Sequence, residues 1–195
     1  MNYYDHSRLS VRKFGGDVQD YIQVHKFIDS SKLFYHHAKH RLLLHNLYGV
    51  EMCVDIFGDI VHNTNGRQIL VRDIAVAHCK EDLDGRVPTL CDWLSKDSSS
   101  NEVVLPKFKS EEVANFVLKP YHRSNINASL KITYSNFGVY LINLVHGSKF
   151  ARELQGHLNL ENNVEKFLSA YNYTDRWQFT PSSVELEWLK SQGKI

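Results

Sequence analysis

Hydrophobic positions along this chain change period several times, and the changes mark its elements. From Asp17, the residues Val18, Tyr21, Ile22, Val24 and Ile28 keep a helical spacing, with Asp17 placed to cap and an end near Ser30-Ser31. Ser31 can cap a second helix, in which Leu33, Leu43, Leu44, Leu47, Val50, Val54 and Phe57 hold one buried face up to Gly58. Between Ile60 and Val71 the pattern becomes that of a hairpin: β-formers flank Asn65-Gly66, a pair that supports the positive φ angles of a type I′ turn. Asp73 then opens a helix to about Leu83, apolar on most sides through Ile74, Ala75, Val76, Ala77, Cys79 and Leu83, and ended by Asp84-Gly85. Pro88-Thr89 starts a short helix, Leu90 to Leu94. Residues 1–16 carry no comparable stripe. They are polar, end in Gly15-Gly16, and read as an irregular arm or one short strand from Leu9 to Phe14.

Ser95 to Asn101 is the one linker-like run, and it suggests a boundary. Beyond it a helix starts at Ser110-Glu111-Glu112 and leads to Leu118, with Pro120 closing it. A long helical segment follows from about Asn125 to His146, then helices near 148–157, 161–171 and 182–191, the last preceded by Thr180-Pro181-Ser182. No stretch of sequence is repeated. The expected fold is mainly α with a small β-hairpin (α+β) and a helical, bundle-like core. It divides into a His-rich helix-hairpin-helix unit, 1–97, and a helical unit, 102–195, packed on the first as one body.

Composition narrows the class. A chain of 195 residues that is 43% hydrophobic can bury a core, and no run of about 18 apolar residues could span a bilayer. The N-terminus lacks the basic and apolar regions of a signal peptide, which points to the cytoplasm. Cys53, Cys79 and Cys91 are odd in number and lack CxxC spacing, so they read as buried thiols. Charge is balanced, with 12 Lys and Arg against 13 Asp and Glu in residues 1–100 and 11 against 9 in the rest. That balance argues against a protein that coats nucleic acid, whose affinity rests on a basic surplus. Lys119-Pro120-Tyr121-His122-Arg123 could still touch nucleic acid by phosphate contact and stacking, although such mixtures are common in loops.

Histidine is the asymmetric residue, with eight of eleven in the first hundred positions. His36, His37 and His40 cluster, and imidazoles at i and i+4 can grip one metal ion from a helix face. On a continuous helix His40 falls within the apolar face near Leu47 and Glu51, while His37, Arg41, Tyr48 and Asp55 line the adjoining polar ridge. The competing reading makes His36 and His37 solvent-facing and His40 a hydrogen-bonded core histidine. His78, Glu81 and Asp82 share a face of the later helix, where burial and neighbouring carboxylates tune acid–base groups. Their bland counterpart is an ordinary solvated helix end beside Gly85. An antiparallel return of that helix would set His78 level with residue 51 and bring it towards Glu51 and Asp55. Arg41, Arg67 and Arg72 could clamp a phosphate, or serve as ordinary ion-pairing residues.

Residues 36–94 resemble an uncharacterised small domain family of bacteria and tailed phages. The resemblance lies in His40-Arg41 with His45 and Gly49, Phe57-Gly58, Asn63 with Gly66-Arg67, Arg72-Asp73-Ile74, His78 with Glu81-Asp82, and Pro88-Thr89 before Asp92-Trp93-Leu94. It implies a compact unit and a phage accessory role, and it carries no assigned activity. Without GxSxG or a Walker loop, metal-assisted hydrolysis is the enzymatic class with positive support. The expectation is a divalent metal ion held by His40, His78 and Asp82, with Glu81 as general base for a metal-bound water. Arg41 and Arg72 would neutralise a phosphoester or nucleotide. The alternatives are a non-enzymatic protein that binds a host protein, and a nucleic-acid-binding protein.

Overall fold

The computed structural model describes residues 1–36, 38–94, 103–170, 187, 190 and 191. Among these residues the architecture is mainly α with one two-stranded antiparallel hairpin, as the periodicity predicts. The N-terminal segment departs from expectation, being a helix, α1 (Tyr3–Phe14). Asn2 caps it by accepting from the Tyr4 and Asp5 amides, and Gly15, at φ 80°, ends it. Its fully buried residues are His6, Ser7 and Ser10, and apolar packing on the core comes from Val11 and Phe14 in its last turn, so its first turns leave no apolar stripe to read. Helix α2 (Val18–Asp29) follows as predicted, opened by a capping box between Asp17 and Asp20.

The continuous helix expected up to Gly58 is broken. Two 3-10 turns (Ser30–Leu33 and Ala38–His40) lead to a short α3 (Arg41–Leu44), and α4 runs over Leu47–Phe57. The break lies at His45-Asn46. Asn46 is extended; its side chain accepts from the Gly49 amide and donates to the Leu42 carbonyl, and so satisfies both helix ends at once. Leu33, placed on the buried face by periodicity, is 76% exposed.

In the hairpin β1 (Ile60–His62) pairs with β2 (Gln68–Leu70), Val61 opposite Ile69. Its turn is wider than a type I′ turn. Of Asn65 and Gly66 only Gly66 has positive φ, and Asn63 organises the loop by accepting from the Asn65 and Arg67 amides. Helix α5 (Val71–Asp82) leaves β2 directly and stops at Asp84 and Gly85, both at positive φ. Thr89 then caps α6 (Leu90–Trp93).

In the second half, α7 (Glu111–Ser124) continues past Pro120, because Val113, Phe116, Val117 and Pro120 form one buried stripe whose packing outweighs the lost amide. The long segment expected to His146 is divided into a 3-10 turn (Asn127–Ser129), α8 (Leu130–Thr133) and α9 (Asn136–His146). Helices α10 (Ser148–Gly156) and α11 (Val164–Ala170) follow. Ser95 to Asn101, with the boundary expected there, His37, and most of the helix expected at 182–191 lie outside the described residues.

Although no sequence repeats, a local shape does. In α3–α4 and in α8–α9 a four-residue helix precedes an eleven-residue one, and the hinge dihedrals agree: φ −85°, ψ 58° at His45 and φ −91°, ψ 62° at Tyr134. An extended cap follows in each (Asn46, Ser135), then a glycine three residues on (Gly49, Gly138) against the carbonyl that ends the short helix (Leu44, Thr133). One hydrophobic core runs through both halves, with Tyr21, Leu42, Leu43, Met52, Ile74 and Trp93 from the first and Ile132, Phe137 and Leu141 from the second.

Candidate metal centre

Three helices each aim a pair of polar residues, spaced i and i+4, at a common point: His6 and Ser10 from α1, His25 and Asp29 from α2, His78 and Asp82 from α5. The fourth contribution is His45, at the break between α3 and α4. One nitrogen or oxygen from each of Asp29, His45, His78 and Asp82 lies within 4.8 Å of the others, a set that could hold a metal ion. His45 Nε2 is 3.3 Å from Asp82 Oδ2, 3.2 Å from His78 Nε2 and 3.9 Å from Asp29 Oδ1, and His78 Nε2 is 3.7 Å from the same Asp29 oxygen. All four side chains are 5% exposed or less.

Further polar groups surround the four. His6 stacks on His78 with ring centroids 3.8 Å apart; its Nδ1 meets Glu81, and its Nε2 lies 3.2 Å from Asp82 Oδ1. His25 joins His78 to Ser10. Asp29 accepts from Lys32 at 2.6 Å, and the Met1 amine lies 3.1 Å from Asp82. Several buried atoms here, Asp29 Oδ2, Asp82 Oδ2, His45 Nδ1 and Arg41 Nε, have no aligned hydrogen-bond partner among the described residues. Orphaned buried donors and acceptors are rare in native interiors, and an ion is one of the things that satisfies them.

The electrostatics suit metal ligation, which needs neutral imidazoles and ionised carboxylates. Burial drives the His78 and His40 pKa values well below the ordinary histidine value, helped by neighbouring positive imidazoles, and takes that of His25 to about 3. Burial also lowers His45, against the pull of Asp82. For Asp82, burial alone would raise the carboxyl, but the imidazoles of His45 and His6 beside it outweigh that and hold the group far below the usual carboxylate range. His6 is opposite in sign: burial lowers it, yet hydrogen bonds to Asp82 and Glu81 leave it net raised.

The residues singled out from sequence scatter around this point. His78 and Asp82 belong to the four-residue set, while His40 stands outside it. Its Nδ1 contacts Ser31 Oγ at 2.9 Å and its ring meets His45 edge-on at 5.1 Å, so it packs beside one member of the set. Glu81 is partly exposed against His6, and Arg41 Nε lies 4.0 Å from Asp82 Oδ2. Arg72 and His36 are exposed. Glu51 and Asp55 turn to Arg123 and Lys119 on α7, so His78 does not meet them; it faces α2 and the α3–α4 break. His6, His25, Asp29 and His45 lie outside the ligand set expected from the sequence. His25-x-x-x-Asp29 carries a readable i, i+4 signal, whereas His6 and His45 converge only through the fold.

Residues 1–102 match the model of a family described as a domain of unknown function (DUF6915). No curated protein and no solved structure matches the chain. The matched span reaches beyond residues 36–94 and takes in α1, α2 and every group of the centre. Covering more than half of the chain, it makes this protein a member of the DUF6915 family.

Proposed function

We propose that the chain binds one divalent transition-metal ion through Asp29, His45, His78 and Asp82 and uses it to hydrolyse a phosphoester or nucleotide. The observation that carries this reading is the convergence of two imidazole nitrogens and two carboxylate oxygens at one buried point, amid polar atoms left without hydrogen-bond partners among the described residues. Such a mixed nitrogen and oxygen set suits zinc, manganese or iron. On the outer side stand the groups hydrolysis requires. Glu81, 22% exposed, is the base for an attacking water, and Arg41 and Lys32, 30% and 40% exposed, supply positive charge for phosphate oxygens. Arg72 is exposed on the first turn of α5 and has no role in this reading.

One observation favours a second reading. The four ligands are closed off from solvent, and closed sites are typical of structural metals, whereas catalytic ones keep a position open. A structural ion would staple α2, the α3–α4 break and α5 together. The two readings separate in one experiment. Metal content is measured after exhaustive dialysis, and turnover of a phosphodiester such as bis-p-nitrophenyl phosphate is followed for the wild type, Glu81→Gln and Arg41→Ala. Hydrolysis requires metal-dependent turnover in the wild type that both variants lose while keeping the ion. Retained metal without turnover on phosphoesters or nucleotides would leave the structural reading.

A further inference from the structure

The hydrogen-bond chain behind His78 determines which of its nitrogens is free. His78 reaches His45 through Nε2 (3.2 Å) and His25 through Nδ1 (3.0 Å), and His25 Nε2 reaches Ser10 Oγ (2.8 Å). A neutral imidazole carries one N–H, so this chain has two polarities. In one, His78 donates from Nδ1 to His25, His25 donates from Nε2 to Ser10, and His78 Nε2 is left bare. In the other, Ser10 donates to His25, His25 to His78, and His78 Nε2 donates to His45; no metal could then use that nitrogen.

His45 selects between them. Its Nε2 lies 3.3 Å from the Asp82 carboxylate, while its Nδ1 is buried with no hydrogen-bond partner among the described residues. A proton on Nδ1 would bury an unpaired N–H and turn a lone pair towards an anion; a proton on Nε2 avoids both. His78 must then meet that N–H with a lone pair, which sets the first polarity.

The geometry points to Ser10 and His25 as positioning residues that hold His78 with its proton on Nδ1, so that Nε2 is a ready ligand for a zinc-like divalent ion. It also points to His45 as the ligand that changes tautomer on loading, its proton moving from Nε2 to the unpartnered Nδ1. This inference rests on the metal reading above, but its first test does not. That test is a long-range nitrogen–proton correlation spectrum of the ¹⁵N-labelled, metal-stripped protein at neutral pH, repeated with zinc. Without zinc, His78 carries its proton on Nδ1, and His25 and His45 carry theirs on Nε2. With zinc, His45 alone switches. A free protein with His78 protonated on Nε2, or with His45 already protonated on Nδ1, overturns the inference. A spectrum as described but indifferent to zinc overturns the tautomer switch and the metal reading together, and leaves the polarity of the relay standing.

The second test is zinc affinity by competition with a chelating dye. His25→Phe removes the acceptor and is expected to weaken binding 10- to 100-fold, the usual loss when the outer partner of a ligating histidine is removed. His25→Gln, whose amide oxygen can accept from His78, restores most of it. Ser10→Ala, a smaller change that preserves the fold if His25→Phe does not, leaves His25 in a mixture of tautomers. Full zinc affinity in His25→Phe, or in Ser10→Ala should that variant be needed, together with an unmixed His25, contradicts the positioning role.

Discussion

At the residue scale the centre depends on side chains that share one environment without sharing a role. Asp29, His45, His78 and Asp82 supply converging atoms, whereas His6, His25 and His40 stand behind or beside them. Single replacements should therefore fall into two groups. Asp29→Asn and His45→Ala each remove a proposed ligand and are expected to reduce retained metal to background after dialysis, while far-ultraviolet circular dichroism keeps its helical form. Arg72→Ala changes neither metal content nor stability by more than about 0.5 kcal/mol, as for other exposed positions away from special features. A loss of metal in Arg72→Ala would return that residue to the site. His78 and Asp82 were legible because they sit i, i+4 on a helix whose periodicity is plain. His40 stands outside the four-residue set for a reason local to the chain. On one continuous helix it would share a line with Leu47 and Glu51, but the break at Asn46 ends that line and passes the inward position to His45.

At the element scale, breaks carry as much information as helices. Asn46 serves two helix ends, so Asn46→Ala should cost about 1–2 kcal/mol in urea unfolding, the upper range for a lost cap. Gly49 and Gly138 occupy equivalent places in α4 and α9, and a Cβ at either would collide with the backbone carbonyl of Leu44 or Thr133. Alanine at each is expected to destabilise by about 3 kcal/mol or more, since backbone has to move. Equal tolerance of alanine at both sites would show that the close approach is not needed. The hairpin and the α2 start could be read from Asn65-Gly66 and Asp17 because short-range chemistry specifies them. The helix breaks at 45–46 and 134–135 could not, because apolar residues continue through them at helical spacing. Helix α1 was hidden for the opposite reason: what its first turns bury is His6, Ser7 and Ser10, so their inward face looks like a surface.

On the scale of the whole molecule, the buried histidines link folding to pH. In the metal-free protein the pKa values of His25, His40, His45 and His78 are lowered by folding, while in the unfolded chain they return to about 6.5. Above that pH all four are neutral in both states and contribute no slope. Below it the unfolded chain takes up protons that the folded chain refuses, so stability falls with pH by up to about 1.4 kcal/mol per unit for each histidine. His6, raised by folding, works against them, stabilising the fold as pH falls from its folded pKa towards 6.5. Four lowered groups outnumber one raised group. The urea midpoint of the stripped protein is therefore expected to be clearly lower at pH 5 than at pH 7, and a midpoint that stays level or rises on acidification would contradict the assignment of neutral, buried imidazoles. Saturating metal should raise stability at neutral pH by mass action. The overall class, mainly α with one hairpin, was within reach of periodicity, and no helix among the described residues is long and apolar enough to cross a membrane. The centre was only half within reach, since it gathers α1, α2, the α3–α4 break and α5 from across about eighty residues.

The most direct test of the central claim is X-ray absorption at the metal edge, recorded on protein loaded with one equivalent of zinc and then dialysed. The account predicts retained zinc with two imidazoles, oxygen ligands making up the rest of its shell, and no sulfur. Zinc lost on dialysis, or retained with thiolate or without imidazole, would show that Asp29, His45, His78 and Asp82 are not a metal centre.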